Sequence, residues 1–176
     1  MKKIKIYKTL RFLLALMFVS ATNNFVFADN LENSKNTNLS FYTGIFDYSD
    51  DGKSSSLVGI QHQNEELFRE SFLGHLSPIT GAMITADNAV YFYTGVQGEY
   101  ELGPIKFTPS FTPGLYEEGE GKDLGYPLEF KSELKFSLNL SENSLLGMSY
   151  NHISNASLGD KNPGANSYMF NFIKKF

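Results

Sequence analysis

The sequence predicts an all-β fold, an eight-stranded antiparallel transmembrane β-barrel preceded by a cleaved signal peptide. Three observations carry this. The chain opens with an export signal, continues as short alternating segments rich in aromatic residues, and closes on a phenylalanine. Sixteen Phe and ten Tyr are many for 176 residues. Gly, Pro, Asn and Asp break the chain into segments of about ten residues with a period of two, the pattern of a closed antiparallel barrel.

Residues 1–28 are set apart first. Lys2, Lys3, Lys5, Lys8 and Arg11 form a basic start, Phe12 to Val19 a short apolar run, and Val26-Phe27-Ala28 ends in a small residue. This is the pattern of a secretory signal peptide, with an apolar run too short to span a bilayer as a helix; cleavage after Ala21 is the weaker alternative. All nineteen acidic residues but only ten of the fifteen basic ones follow residue 28, so the mature chain carries a formal charge of −9. That excludes a basic footprint for nucleic acid. The absence of cysteine excludes a disulfide scaffold and a thiolate metal site. No later stretch approaches eighteen consecutive apolar residues, so no membrane helix is expected.

Residues 29–38 are polar and read as a flexible lead-in, with the barrel over 39–176. Leu39–Tyr48 is the first strand, residues 49–53 a turn, and Ser54–Gln63 the second strand. Asn64–Leu73 is charged and less regular, either a longer connection or the start of the third strand. Gly74–Thr85 is a third strand of moderate clarity, because Pro78 and Gly81 interrupt it. After a tight turn at Ala86-Asp87-Asn88, Ala89–Leu102 is the fourth strand and Ile105–Tyr116 the fifth, joined by Gly103-Pro104. Glu117–Gly125 is an acidic, glycine-rich loop. Tyr126–Leu140 is the sixth strand, Ser144–Ser154 the seventh, and Asn166–Phe176 the eighth, after a loop over residues 155–165.

A membrane barrel is apolar outside and a soluble ligand-binding barrel is apolar inside. The sixth strand shows why alternation alone does not separate them. One parity carries Leu128, Phe130, Leu134, Phe136, Leu138 and Leu140; the other carries Glu129, Lys131, Glu133 and Lys135. Two features favour the membrane. Phe176 ends an amphipathic strand that has Tyr168, Phe170 and Phe172 on its own parity, similar to the assembly signal of bacterial outer-membrane barrels. The connections after the fourth and sixth strands are short and those after the fifth and seventh long, as periplasmic turns and outer loops are; the Asp87 turn and the Asn64–Leu73 connection fit this scheme less well.

His152 and Ser154 lie two residues apart on the seventh strand, about 7 Å at the backbone and on one face. They share parity with Leu146, Met148 and Tyr150, and so end the lipid-facing wall. Polar groups on that wall are costly unless they serve a purpose or lie at the interface. An imidazole beside a hydroxyl is the minimum equipment for a serine nucleophile with its base. Asn166 opens the eighth strand at the same level, so three polar groups converge at the outer end.

His152-x-Ser154-Asn155-Ala156, followed by Asn162-Pro163-Gly164 and a closing strand ending in Phe, resembles the PagL-type lipid A 3-O-deacylases. The distinctive match covers about twenty-five residues. The resemblance implies an eight-stranded outer-membrane barrel that hydrolyses the ester-linked acyl chain at position 3 of lipid A, with no metal or cofactor. Lipid A, as lipopolysaccharide, is the implied substrate and outer-membrane lipid the surroundings; a homodimer is left open. Position by position, Ser154 resembles the nucleophile and His152 its general base. Asn155 and Asn162 fall among loop residues that help to hold the oxyanion, and Phe130 is placed to line the acyl groove. One position departs: the family typically has glutamate where this chain has Asn166. An amide oxygen can still orient an imidazole, but it supplies no negative charge, which leaves room for another acid such as Asp160.

Two other readings stand beside this one. A non-enzymatic structural or adhesive outer-membrane barrel would carry the same strands, though the modest loops count against adhesion. A soluble periplasmic ligand-binding barrel would fractionate with soluble protein. Glu117, Glu118, Glu120 and Asp123 read as a solvated loop rather than a cation site. Lys131, Glu133 and Lys135 read as interior ion pairs, and Lys174 and Lys175 as interfacial anchors.

Overall fold

The computed structural model describes residues 37–176 except 51, 68, 72 and 73; the expected signal peptide and residues 29–36 lie outside the described residues. The strands are β1 Thr37–Phe46, β2 Ser55–Asn64, β3 Arg69–Ser71, β4 Gly74–Thr85, β5 Val90–Gly98, β6 Tyr100–Leu102, β7 Ile105–Glu117, β8 Leu128–Ser141, β9 Ser144–Ser154 and β10 Ala165–Lys175. All pairings are antiparallel, and β2 pairs with β4 to close the ring. The short β3 continues the line of β2 along β4, and β6 that of β5 along β7, so eight strand positions surround the axis.

The strand that carries His152 and Ser154 has the bounds its sequence predicts. The fourth predicted strand is divided at Glu99, although β5 and β6 keep one register on β7. Glu99 turns inwards instead, taking bonds from Lys106 Nζ at 2.6 Å and Gln63 Nε2 at 2.9 Å. The third strand runs unbroken through Gly81. A Cβ there would lie 2.5 Å from the Tyr93 ring, so the glycine makes room for an aromatic side chain across the strand pair rather than interrupting it.

Which face is inside is now decided. Lys131 is 1% exposed, and Glu133 and Lys135 are also buried, whereas Leu138 is 52% and Phe170 60% exposed. The charged parity of β8 fills the lumen and the apolar parity faces outwards, the packing of a membrane barrel and not of a soluble one. Charges in such an interior must pair. Lys131 Nζ lies 3.0 Å from Glu133 Oε2 and Lys135 Nζ 3.8 Å from Glu133 Oε1. The Lys131 ammonium also sits 3.8 Å from the centroid of the Tyr93 ring, a cation–π contact.

Towards one end the lumen becomes apolar. Phe46, Leu57, Met83, Tyr116 and the loop residue Leu124 pack into a plug. Above it, four connections are knitted into one rim. Glu120 N donates to Asp87 O at 2.8 Å, Lys53 Nζ to Gly121 O at 3.1 Å, and Tyr48 N to Asn166 O at 3.0 Å. The acidic loop over residues 118–127 belongs to this rim. Its Asp123 is paired with Lys161 at 2.7 Å, and that ammonium, with the Gly125 N–H, holds the Asp123 carboxyl below the usual aspartate range.

Candidate active site on the outer wall

The site lies where β9 and β10 meet that rim. His152 and Asn166 are direct partners across the two strands, so their side chains leave the same face side by side. His152 Nδ1 lies 2.9 Å from Asn166 Oδ1. The Tyr150 hydroxyl, one step along the same parity, donates to the same oxygen at 2.7 Å. His152 is exposed on the outer wall, and Ser154 is half-buried two residues on.

The imidazole is also fenced from the loop side. Gly164 has φ +63°, and a Cβ on it would lie 2.8 Å from His152 Cε1. Only glycine combines that left-handed conformation with so close an approach. Ser154 stands opposite Phe130 of β8 in register, and Phe130 stacks on Phe111 with centroids 6.0 Å apart. An aromatic strip thus begins beside the hydroxyl and follows the apolar wall. Among the described residues no hydrogen bond joins the Ser154 hydroxyl to the imidazole; serine–histidine pairs in hydrolases commonly tighten only in the substrate complex.

The two loop asparagines part company. Asn155 is fully buried, and its Nδ2 donates to Leu124 O at 2.8 Å and Lys161 O at 2.9 Å. Its backbone N–H donates to Asn162 Oδ1 at 3.0 Å. Asn155 is therefore the pin of the loop. Asn162 is exposed and keeps its Nδ2 as a remaining donor. The chain reverses just after Asn155 through Ala156 and Ser157, both left-handed at φ 53° and 63°. Two such non-glycine residues in succession hold strain of order 1–3 kcal/mol each, which persists where the surroundings dictate the geometry.

The surroundings of Asn166 are the part that sequence reasoning missed. Its Nδ2 donates to Ser49 Oγ at 3.2 Å and its backbone N–H to Asp47 Oδ1 at 3.2 Å. Ser49 Oγ in turn lies 3.1 Å from Asp47 Oδ1 as donor. Asp47 is fully buried, left-handed at φ 49°, and ion-paired with Lys122. Asp160, the acid the sequence offered instead, is exposed on its loop, and among the described residues no bond joins it to His152.

A family model described as Lipid A 3-O-deacylase (PagL) matches residues 55–174. The chain belongs to the PagL family. Solved structures with the same fold include the outer-membrane enzyme PagL, at 17% identity and a TM-score of 0.60, covering 79% of this chain and 99% of that one. Neisserial surface protein A aligns at 10% identity and a TM-score of 0.58, covering 80% and 97%. A de novo designed transmembrane β-barrel aligns at 11% identity and 0.54, covering 79% and 95%. A comparison with curated protein sequences gave no match. At these identities the structures establish the barrel, and the family match establishes the deacylase lineage. Within the PagL family's matched region lie His152, Ser154, Asn162 and Asn166; Asp47 and Ser49 lie before it.

Proposed function

We propose that this chain is a serine esterase of the outer membrane that removes the ester-linked acyl chain at position 3 of lipid A, working from the outer leaflet. The observation that carries this reading is the 2.9 Å contact between His152 Nδ1 and Asn166 Oδ1, on an apolar outer wall beside Ser154. A buried site would have to extract a lipid from its bilayer; a site on the wall meets the ester at the depth where it lies.

With Nδ1–H held by Asn166, Nε2 of His152 carries the free lone pair. It takes the proton of Ser154 as Oγ attacks the acyl carbonyl. In this reading the Asn162 Nδ2, whose amide oxygen is held by the Asn155 N–H, steadies the oxyanion. Collapse of the tetrahedral centre breaks the bond to the sugar oxygen, which leaves with the proton from Nε2. Water, deprotonated by the same nitrogen, then releases the fatty acid and restores Ser154. Phe130 and Phe111 hold the acyl chain against the wall.

Purified barrel in detergent micelles, mixed with lipid A, tests this. Wild type releases free 3-position fatty acid, and Ser154→Ala lowers release by roughly a thousandfold or more while migrating on gels as a folded barrel. Equal release by the two proteins would rule out Ser154 as nucleophile.

A further inference from the structure

We propose that Asp47 and Ser49 are positioning residues which set the direction of the hydrogen bonds at Asn166 and thereby the tautomer of His152. The inference rests on the esterase reading above, but it concerns a feature that reading does not require.

An asparagine behind an imidazole is ambiguous in a way that glutamate is not. A carboxylate only accepts, so it compels the facing imidazole nitrogen to carry a proton. An amide has an accepting and a donating end of nearly the same shape. With Oδ1 towards His152, Nδ1 is protonated and Nε2 is the base. With Nδ2 towards His152, the proton sits on Nε2 and the base is lost. Tyr150 does not decide between them, since its hydroxyl can donate to Oδ1 or accept from Nδ2.

The chain of contacts beyond Asn166 does decide. Asp47 is fully buried and ion-paired with Lys122, so it is a carboxylate acceptor. Ser49 Oγ, 3.1 Å away, must spend its one proton on it. The Ser49 oxygen is then an acceptor towards Asn166, and Nδ2 meets it at 3.2 Å. That leaves Oδ1 for His152, at 2.9 Å. Asp47 also takes the Asn166 backbone N–H at 3.2 Å, which fixes the residue from which the amide projects. One buried negative charge polarises the whole row, from Asp47 through Ser49 and Asn166 to His152. It restores at two removes the directing acid that the family has next to its histidine.

Ser49 is the place to break the row, because it is exposed and its loss leaves the Asp47–Lys122 pair in place. The test uses the mature barrel labelled with ¹⁵N-histidine, as wild type, Ser49→Ala, Asn166→Glu and the double variant. The His152 signals are those lost in His152→Gln. Wild type shows His152 as the Nδ1–H tautomer alone. Ser49→Ala mixes the two tautomers and lowers kcat for lipid A deacylation by roughly tenfold, as loss of one directing hydrogen bond does, with KM unchanged. In the Asn166→Glu background the carboxylate faces His152 directly, and Ser49→Ala moves neither readout. A wild-type Nε2–H tautomer would overturn the proposal. So would a Ser49→Ala protein that keeps a pure Nδ1–H tautomer, or an equal kinetic loss in both backgrounds. If wild type does not deacylate lipid A at all, the esterase reading fails, and the tautomer of His152 still decides this one.

Discussion

At His152 two neighbours act on one ring, Asn166 on Nδ1 and Gly164 against Cε1, and Ser154 stands two residues ahead on the strand. The contact with Gly164 makes a sharp prediction. Gly164→Ala adds a methyl 2.8 Å from Cε1 on a left-handed backbone, so the ring must swing away. Turnover of lipid A should fall about 10- to 100-fold, the scale of a displacement near 1 Å in a catalytic group, with the barrel still folded. An unchanged rate would show that the ring position does not matter. Asn166→Glu is the complementary change. It places an acceptor-only group opposite Nδ1 and should give turnover equal to or above wild type; a collapse in rate would show that Asn166 does not orient the imidazole through Nδ1. The residues of the candidate site were legible because they are local: His152, Ser154, Asn162 and Asn166 fall within one strand, one loop and the start of the next. Asp47 and Ser49 were not. They stand 119 and 117 residues from Asn166 in a turn of ordinary composition, and only closure of the barrel between β1 and β10 brings them together.

Among the strands, β8 carries the clearest division of labour, and it too is testable. Phe136 and Lys135 are adjacent, one on the outer wall and one in the lumen. Phe136→Lys should destabilise the barrel by about 2–4 kcal/mol if it sits near the bilayer midplane, read as a lower urea midpoint for folding into lipid vesicles. A midpoint within error of wild type would contradict a lipid-facing β8. The rim connections separate a strong contact from a weak one. Asp47 is buried against Lys122, whereas Asp123 and Lys161 are both more than half exposed. Asp47→Asn should lower the midpoint clearly, but by less than the roughly 3–5 kcal/mol of truncating a fully buried pair, because Lys122 is half-buried and keeps Asp50 Oδ2 at 3.4 Å. Asp123→Asn should leave the midpoint nearly unchanged. Because the Asp123 carboxyl is held below its usual range, its small contribution is present above the ordinary aspartate range and fades as pH falls through the lower folded value. Strand bounds followed the turn residues closely where the turns are short. The fourth strand divides at Glu99 and the third is not interrupted at Gly81, because an inward carboxylate and the ring of Tyr93 depend on partners across the barrel.

As a whole the described residues form a closed ring whose lumen holds ion pairs below and an aromatic and aliphatic plug above. The candidate site lies on the outer wall at this rim. The period-two pattern announced a barrel, but the same pattern serves a barrel turned inside out, and the sequence could only lean on the terminal Phe176 and the loop lengths. Burial of Lys131 and exposure of Leu138 on one strand removed that ambiguity. The account requires a folded barrel in the outer membrane to change the lipid around it. Mass spectrometry of lipid A from cells with folded wild-type protein, Ser154→Ala protein or neither tests this most directly. The account predicts that lipid A loses the mass of its 3-position acyl chain in the first case alone. Intact lipid A in cells rich in folded wild-type barrel, or the same loss with Ser154→Ala, would contradict it.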